Sequence, residues 1–152
     1  MKIINTTNLT QVRKQIQELK KQKAKQEIII KAQDDAFNRK ILENKDVDIL
    51  LSPESHLRKD YMKQRDSGLN EIHCKLAKEN NIKIAIELSK INKLPAKDKA
   101  IILARIRQNI ILCKRTNTKI ILIDKEKFTK QDIMSFMQTL DASTQQAKQA
   151  NL

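Results

Sequence analysis

Glycine is almost missing from this chain. Gly68 is the only one among 152 residues, where average usage would place roughly ten. That scarcity excludes the glycine-rich phosphate cradles, both the dinucleotide-binding GxGxxG turn and the Walker loop, because each needs several glycines for close backbone approach. Any phosphate must therefore meet side chains or a helix end. Aromatic residues are nearly as scarce: there is no tryptophan, and Tyr61, Phe37, Phe128 and Phe136 complete the set. A stacking platform for single-stranded bases has almost nothing to be built from. The two cysteines, Cys74 and Cys113, form no CxxC and have no histidine at metal-ligand spacing, so they read as small buried apolar groups in a reducing compartment and no zinc site is expected. No segment approaches the roughly 20 uninterrupted apolar residues of a membrane span. Met1-Lys2-Ile3-Ile4-Asn5-Thr6 carries no extended apolar region of a signal peptide, and the expected location is cytoplasmic.

Positive charge, by contrast, is abundant. Lys and Arg number 31 against 18 Asp and Glu, a net charge of +13, which points to a polyanionic partner, nucleic acid before membrane. Two stretches hold most of the excess. Residues 11–25 contain Arg13, Lys14, Lys20, Lys21, Lys23 and Lys25 against Glu18, and residues 97–115 contain Lys97, Lys99, Arg105, Arg107, Lys114 and Arg115 against Asp98. A solvated outer helix face accounts for such runs as readily as a binding surface does.

The hydrophobic pattern alternates short β-rich runs with longer helical ones, which predicts parallel strands joined by crossover helices in a single domain. Strands are expected at 2–5, 28–32, 47–51, 82–88 and 119–123. The intervening helices are a first one from about Asn8, with Leu9, Val12, Ile16 and Leu19 on one face, and a second capped by Asp34 or Asp35. A third covers 69–79 with the apolar stripe Leu69, Ile72, Leu76 and Ala77, and a fourth runs from Pro95 to about 115 with Leu103, Ile106, Ile110 and Cys113 inward. A fifth surrounds Ile133, Phe136, Met137 and Leu140, and Ser143 or Thr144 caps a short sixth. Without glycine, the joints at Asn44, Asn80 with Asn81, and Asn117 are expected to use asparagine for the left-handed turn. At about 30 residues per βαβ unit, 152 residues cannot close an eight-fold barrel of about 250, so the expected architecture is a partial or distorted TIM-like (β/α) barrel of about five units.

Residues 54–67 form the longest irregular stretch, charged throughout, and end at Arg65-Asp66-Ser67-Gly68-Leu69-Asn70. Long loops in compact domains tend to carry function. Lys31, Arg65, Lys90, Lys93, Lys125 and Lys127 fall at or beyond strand ends, where ligands of parallel α/β folds sit, and would form a basic rim. Carboxylates on or beside strands (Asp48, Glu87, Asp124, with Asp34 and Asp66 nearby) would suit a metal-dependent hydrolase if they converged. His56 and His73 form no HxH or HxxxH pair and read as a loop residue and a surface or boundary residue, so no catalytic or metal-binding residue is assigned.

The runs Val47-Asp48-Ile49-Leu50-Leu51-Ser52-Pro53, Arg65-Asp66-Ser67-Gly68-Leu69-Asn70, Cys74-Lys75-Leu76-Ala77, Asn80-Asn81-Ile82, Leu103-Ala104-Arg105-Ile106 and Ile110-Ile111-Leu112-Cys113-Lys114 together resemble the ribonuclease P protein component 3 family, along nearly the whole chain. The resemblance implies a barrel of the polymerase-and-histidinol-phosphatase type serving as a non-catalytic subunit of ribonuclease P. The RNA of that enzyme removes the 5′ leader from precursor tRNA. It further implies a pairing with ribonuclease P protein component 2 and other protein subunits, indirect contact with precursor tRNA, no cofactor on the protein, and Mg²⁺ held by the RNA. Carried over by position, Lys31, Arg39, Arg65, Asp66, Gly68, Lys75, Lys90 and Arg105 would contact RNA or shape the contact loop, with Arg65 on phosphate and Asp66 holding the loop or the following helix. The chain departs from the family's pattern at Glu71, where histidine is common, at Lys90, where arginine is common, and at Asp124-Lys125-Glu126-Lys127, which replaces a serine-rich segment.

Overall fold

The computed structural model describes residues 2–21, 26–55, 59–123 and 128–150. Five strands, β1 (Lys2–Ile4), β2 (Ile28–Lys31), β3 (Ile49–Leu51), β4 (Lys83–Glu87) and β5 (Ile120–Ile123), pair in chain order and all in parallel. Parallel neighbours need crossovers, and these are α1 (Leu9–Lys21), α2 (Asp35–Leu42), α3 (Glu71–Glu79) and α5 (Ala96–Thr116), with α4 (Leu88–Asn92) ahead of α5 and α6 (Lys130–Thr139) and α7 (Thr144–Gln149) following β5. Crossovers are right-handed, so a strand order that never reverses keeps every helix on one face.

Burial shows the helices on one face. Ile4, Ile28, Ile30, Leu50, Ile84, Ile86, Ile120 and Leu122 share one core with every helix from α1 to α7, whereas Ile29, Ile49, Leu51, Ala85 and Ile123 alternate onto the other face and pack among themselves. The sheet is thus an open half-barrel with its helices on one side. The outer edge of β5 is partly covered, since the Leu122 N–H donates to the Ala150 carbonyl at 3.2 Å.

Side chains close the helix starts as the sequence predicts. Asn8 accepts from the Thr10 N–H at 2.9 Å, Asp34 from the Phe37 N–H at 2.8 Å, and Ser143 forms a capping box with Gln146. Several boundaries differ from expectation. Helix α3 begins at Glu71 rather than at 69, because Asn70 caps it by accepting from the His73 N–H at 2.8 Å. Packed against α2 and α5, the helix turns His73, Cys74 and Ala77 inward, so His73 is buried and Ile72 is 58% exposed. Pro95 is the residue before α5, not its first turn, and the five residues of α4 were not anticipated. Asn81 and Asn117 adopt the left-handed turn (φ 57 and 56), but Asn44 does not; it accepts from the Asp46 N–H instead, and Ser52 and Asp141 take positive φ in its place.

Candidate nucleic-acid interface

The hinge at Gly68 is a place where only glycine fits. Its φ is +78, and a Cβ there would lie 2.2 Å from the Pro53 carbonyl oxygen and 2.8 Å from its carbon. The missing side chain lets the end of the 59–67 loop rest on the backbone that leaves β3. Around this contact the loop is tied by side chains. Asp66 accepts from the Gly68 N–H at 3.2 Å, and Asp60 accepts from the Asp66 N–H at 2.9 Å. From α5, Asn109 donates to the Ser67 carbonyl at 3.1 Å, and Arg105 reaches Asp60 at 3.1 Å and the Glu54 carbonyl at 3.4 Å. Arg105 and Asn109 stand four residues apart on one helix face, so one rail holds both ends of the loop.

Charge keeps that anchor in place. Burial opposes ionisation of Asp60, but hydrogen bonds from Arg65, the Asp66 N–H and Arg105 outweigh it and hold the carboxyl below its ordinary range. Arg105 is 5% exposed, and its guanidinium is a structural charge that depends on this carboxylate.

Anchored this way, the loop stands off from α5 and leaves a groove of about 430 Å³. Gln64 and Arg65 line one wall, and Ala104, Arg107, Gln108, Ile111, Leu112 and Arg115 line the other. Three arginines and two glutamines thus face a shallow trough with no carboxylate among its lining residues. Arg65 is held by Asp60 at 2.7 Å and Arg107 by Asp141 at 2.5 Å, with both guanidinium groups exposed. Such pairs are worth at most about 1 kcal/mol, so a phosphate offering bidentate geometry can displace them.

A second concavity, about 410 Å³, opens at the C-terminal ends of β3 and β4 between Glu54, Glu87, Lys90 and Arg105 on its polar side and Ile91, Leu94, Ile101 and Ile102 on its apolar side. Glu54, placed by a short 3-10 turn (Pro53–Ser55), is buried rather than part of a solvated loop, and burial pushes its carboxyl up to about 7. Lys31 donates to Ser55 Oγ at 2.8 Å; burial and then the Lys90 charge lower its pKa. Among the described residues the strand carboxylates do not converge. Asp48 lies at the N-terminal end of β3, where it accepts from the Ile28 N–H at 2.8 Å, while Glu87 ends β4 and pairs with Lys90 at 2.6 Å. They occupy opposite rims of the sheet, and among the described residues no three His, Cys, Asp or Glu side chains form a metal-binding group.

The residues singled out from the sequence separate into three places. Arg65, Asp66, Gly68 and Arg105 meet at the anchored loop, and Lys31 and Lys90 meet at the strand-end rim. Arg39 and Lys75 stay on the outer faces of α2 and α3, paired with Glu43 and Glu71. Arg107, Arg115, Gln108 and Asn109 were not singled out. The spacing of Arg107, Ile111 and Arg115 at i, i+4 and i+8 was visible, but nothing local told that α5 face apart from a solvated one. Asp124, Lys125, Lys127, Lys23, Lys25 and His56 lie outside the described residues. No described helix is long and apolar enough to cross a membrane.

Fold and site together define an open, all-parallel α/β half-barrel that presents an arginine-lined groove beside a glycine-hinged loop. No model of a known protein family matches the chain. Curated relatives do: it is 30% identical over 95 residues to ribonuclease P protein component 3 of Methanococcus vannielii, covering 62% of this chain and 38% of that one. It is likewise 30% identical over 120 residues to the protein of the same name from Methanococcus maripaludis strain C6, covering 78% and 47%. The chain is thus similar in sequence to proteins named ribonuclease P protein component 3, and it spans less than half the length of these relatives. Its fold matches a chain in a cryo-EM structure of archaeal ribonuclease P with mature tRNA, with a TM-score of 0.77 and 23% identity, over 97% of this chain and 62% of that one.

Proposed function

We propose that this chain is an RNA-binding, non-catalytic protein subunit of ribonuclease P. It supports the catalytic domain of the RNA while that RNA removes the 5′ leader of precursor tRNA. The observation that carries the reading is the groove of Arg65, Arg107 and Arg115, held open by the hinge at Gly68 in a chain similar to component 3. Arginine forks bind backbone phosphate without reading sequence, which suits a protein that stabilises a folded RNA. In this reading Arg65 contacts phosphate, Lys31, Lys90, Arg39 and Lys75 add longer-range attraction, and Asp66, Gly68 and Arg105 shape the loop. Ribonuclease P protein component 2 is the protein partner, with other subunits of the enzyme in the same assembly. Precursor tRNA is met indirectly, the Mg²⁺ belongs to the RNA, and the complex works in the cytoplasm.

The test is a co-purification and footprint. The chain should form a stable complex with archaeal component 2, and the pair should protect the catalytic domain of ribonuclease P RNA from hydroxyl-radical cleavage. Protection lost on Arg107→Ala with Arg115→Ala supports the groove; protection that survives the double variant, or no complex with either partner, contradicts the reading.

A further inference from the structure

The loop that walls the groove also carries the most exposed large apolar side chains of the described residues. Tyr61 is 68% exposed and Met62 is 98% exposed. They sit at the tip of a tight turn, since Tyr61 and Gln64 form an antiparallel bridge in which the Gln64 N–H donates to the Tyr61 carbonyl at 3.3 Å. Gln64 lines the groove, so the tip stands directly beside it. The turn does not hang loose: Asp60, the residue before Tyr61, is gripped by Arg65, Arg105 and the Asp66 N–H.

Building on the RNA-binding reading, we propose that Tyr61 stacks on an unpaired base of the bound RNA while the groove holds the adjacent backbone. Four observations converge on it. The ring is presented to solvent although burial of an aromatic side chain is favourable. Its stalk is pinned to α5, so little ordering entropy is lost on contact. Lys59 and Lys63 flank it in the chain, while the carboxylate next to it, Asp60, is neutralised by Arg65 and Arg105. That charge favours a nucleic acid over an apolar protein patch. Finally, RNA offers unstacked bases in loops and bulges, whereas a duplex hides its faces. One ring in place of a platform is consistent with a chain so poor in aromatics.

The composition supplies a clean probe. Tyr61 is the only tyrosine, so 3-fluorotyrosine labelling gives a single ¹⁹F resonance with no background. The protein is titrated with a ten-nucleotide single-stranded RNA and with a ten-base-pair RNA duplex, binding being followed independently by anisotropy of a labelled RNA. The single strand should move the resonance upfield by ring current and the duplex should not. Tyr61→Ala should weaken single-strand binding on the order of tenfold, Tyr61→Phe should restore it, and duplex binding should stay unchanged. The thermal midpoint of Tyr61→Ala should also be unchanged, because the side chain is exposed. A resonance that stays put in a saturated RNA complex, or unchanged affinity of Tyr61→Ala, overturns the stacking while leaving RNA binding intact. A resonance that moves only with component 2 also overturns it and makes the tip a protein contact. Failure to bind either RNA removes both this inference and the reading it rests on.

Discussion

Replacing Gly68 by alanine probes the contact on which the loop is built. Two costs combine. A residue with a Cβ at φ +78 loses roughly 1–2 kcal/mol in the left-handed region. The new carbon would also lie 2.2 Å from the Pro53 oxygen, where ordinary contact begins at 3.4 Å, and the obstacle is backbone rather than a side chain that can swing away. Relieving an overlap of that size costs a further ~1–3 kcal/mol. The sum is about 2–5 kcal/mol, and at roughly 2–4 °C per kcal/mol for a chain of this size the thermal midpoint should fall by roughly 4–20 °C. Urea unfolding followed by circular dichroism should show a lower midpoint at unchanged slope. Asn117→Ala is the internal comparison: Asn117 also lies in the left-handed region (φ 56) but already carries a Cβ, so only part of the conformational cost is added and the loss should be at most about 1 kcal/mol. A Gly68→Ala midpoint within about 2 °C of the parent, or a loss no greater than that of Asn117→Ala, would refute the close-approach argument.

Further expectations follow from the anchor and the groove. Asp60→Ala removes an ion-pair partner of the buried Arg105 together with the acceptor of the Asp66 N–H and should cost clearly more than Arg65→Ala, which removes a pair whose guanidinium is exposed and should cost under about 1 kcal/mol; equal losses in urea unfolding would contradict the division of labour. Glu54 has a folded pKa near 7 against an ordinary 4.5, so its neutral form favours the folded state below pH 4.5 and that stability is lost as pH rises to about 7, by up to about 3 kcal/mol. Glu54→Gln should flatten this part of the stability-pH curve, and a variant with the parent's slope would show that Glu54 is not its source. Arg107→Ala and Arg115→Ala should each reduce the salt dependence of RNA binding by about one phosphate contact with little effect on stability; unchanged slopes would place the RNA elsewhere.

The strands and most helices were legible because the physics that forms them is local. Runs such as Ile28-Ile29-Ile30 can only be strands buried on both faces, and Asn8, Asp34 and Ser143 mark helix starts through their own side chains. Gly68 was legible for the same reason: one glycine in an otherwise glycine-free chain announces a conformational demand. What failed was long-range. Helix α3 starts two residues late because Asn70 caps it, and its packing against α2 and α5 buries His73 and leaves Ile72 exposed. Glu54 is carried inside by a turn that packs under α5. Asp48 and Glu87 looked like partners in the sequence, but the direction of parallel strands sends them to opposite rims. The groove was hidden most completely, since Arg107 and Arg115 acquire a shared purpose only when residues more than forty positions earlier fold back over α5.

Multiple-turnover cleavage of precursor tRNA at limiting Mg²⁺ tests the account most directly. Archaeal ribonuclease P RNA and component 2 are assembled with and without this chain, and with the Arg107→Ala, Arg115→Ala variant. The account predicts that the chain raises 5′-leader removal, that the double variant raises it much less, and that the chain without RNA cuts nothing. An unchanged rate on adding the chain, or leader removal by the chain alone, would contradict it.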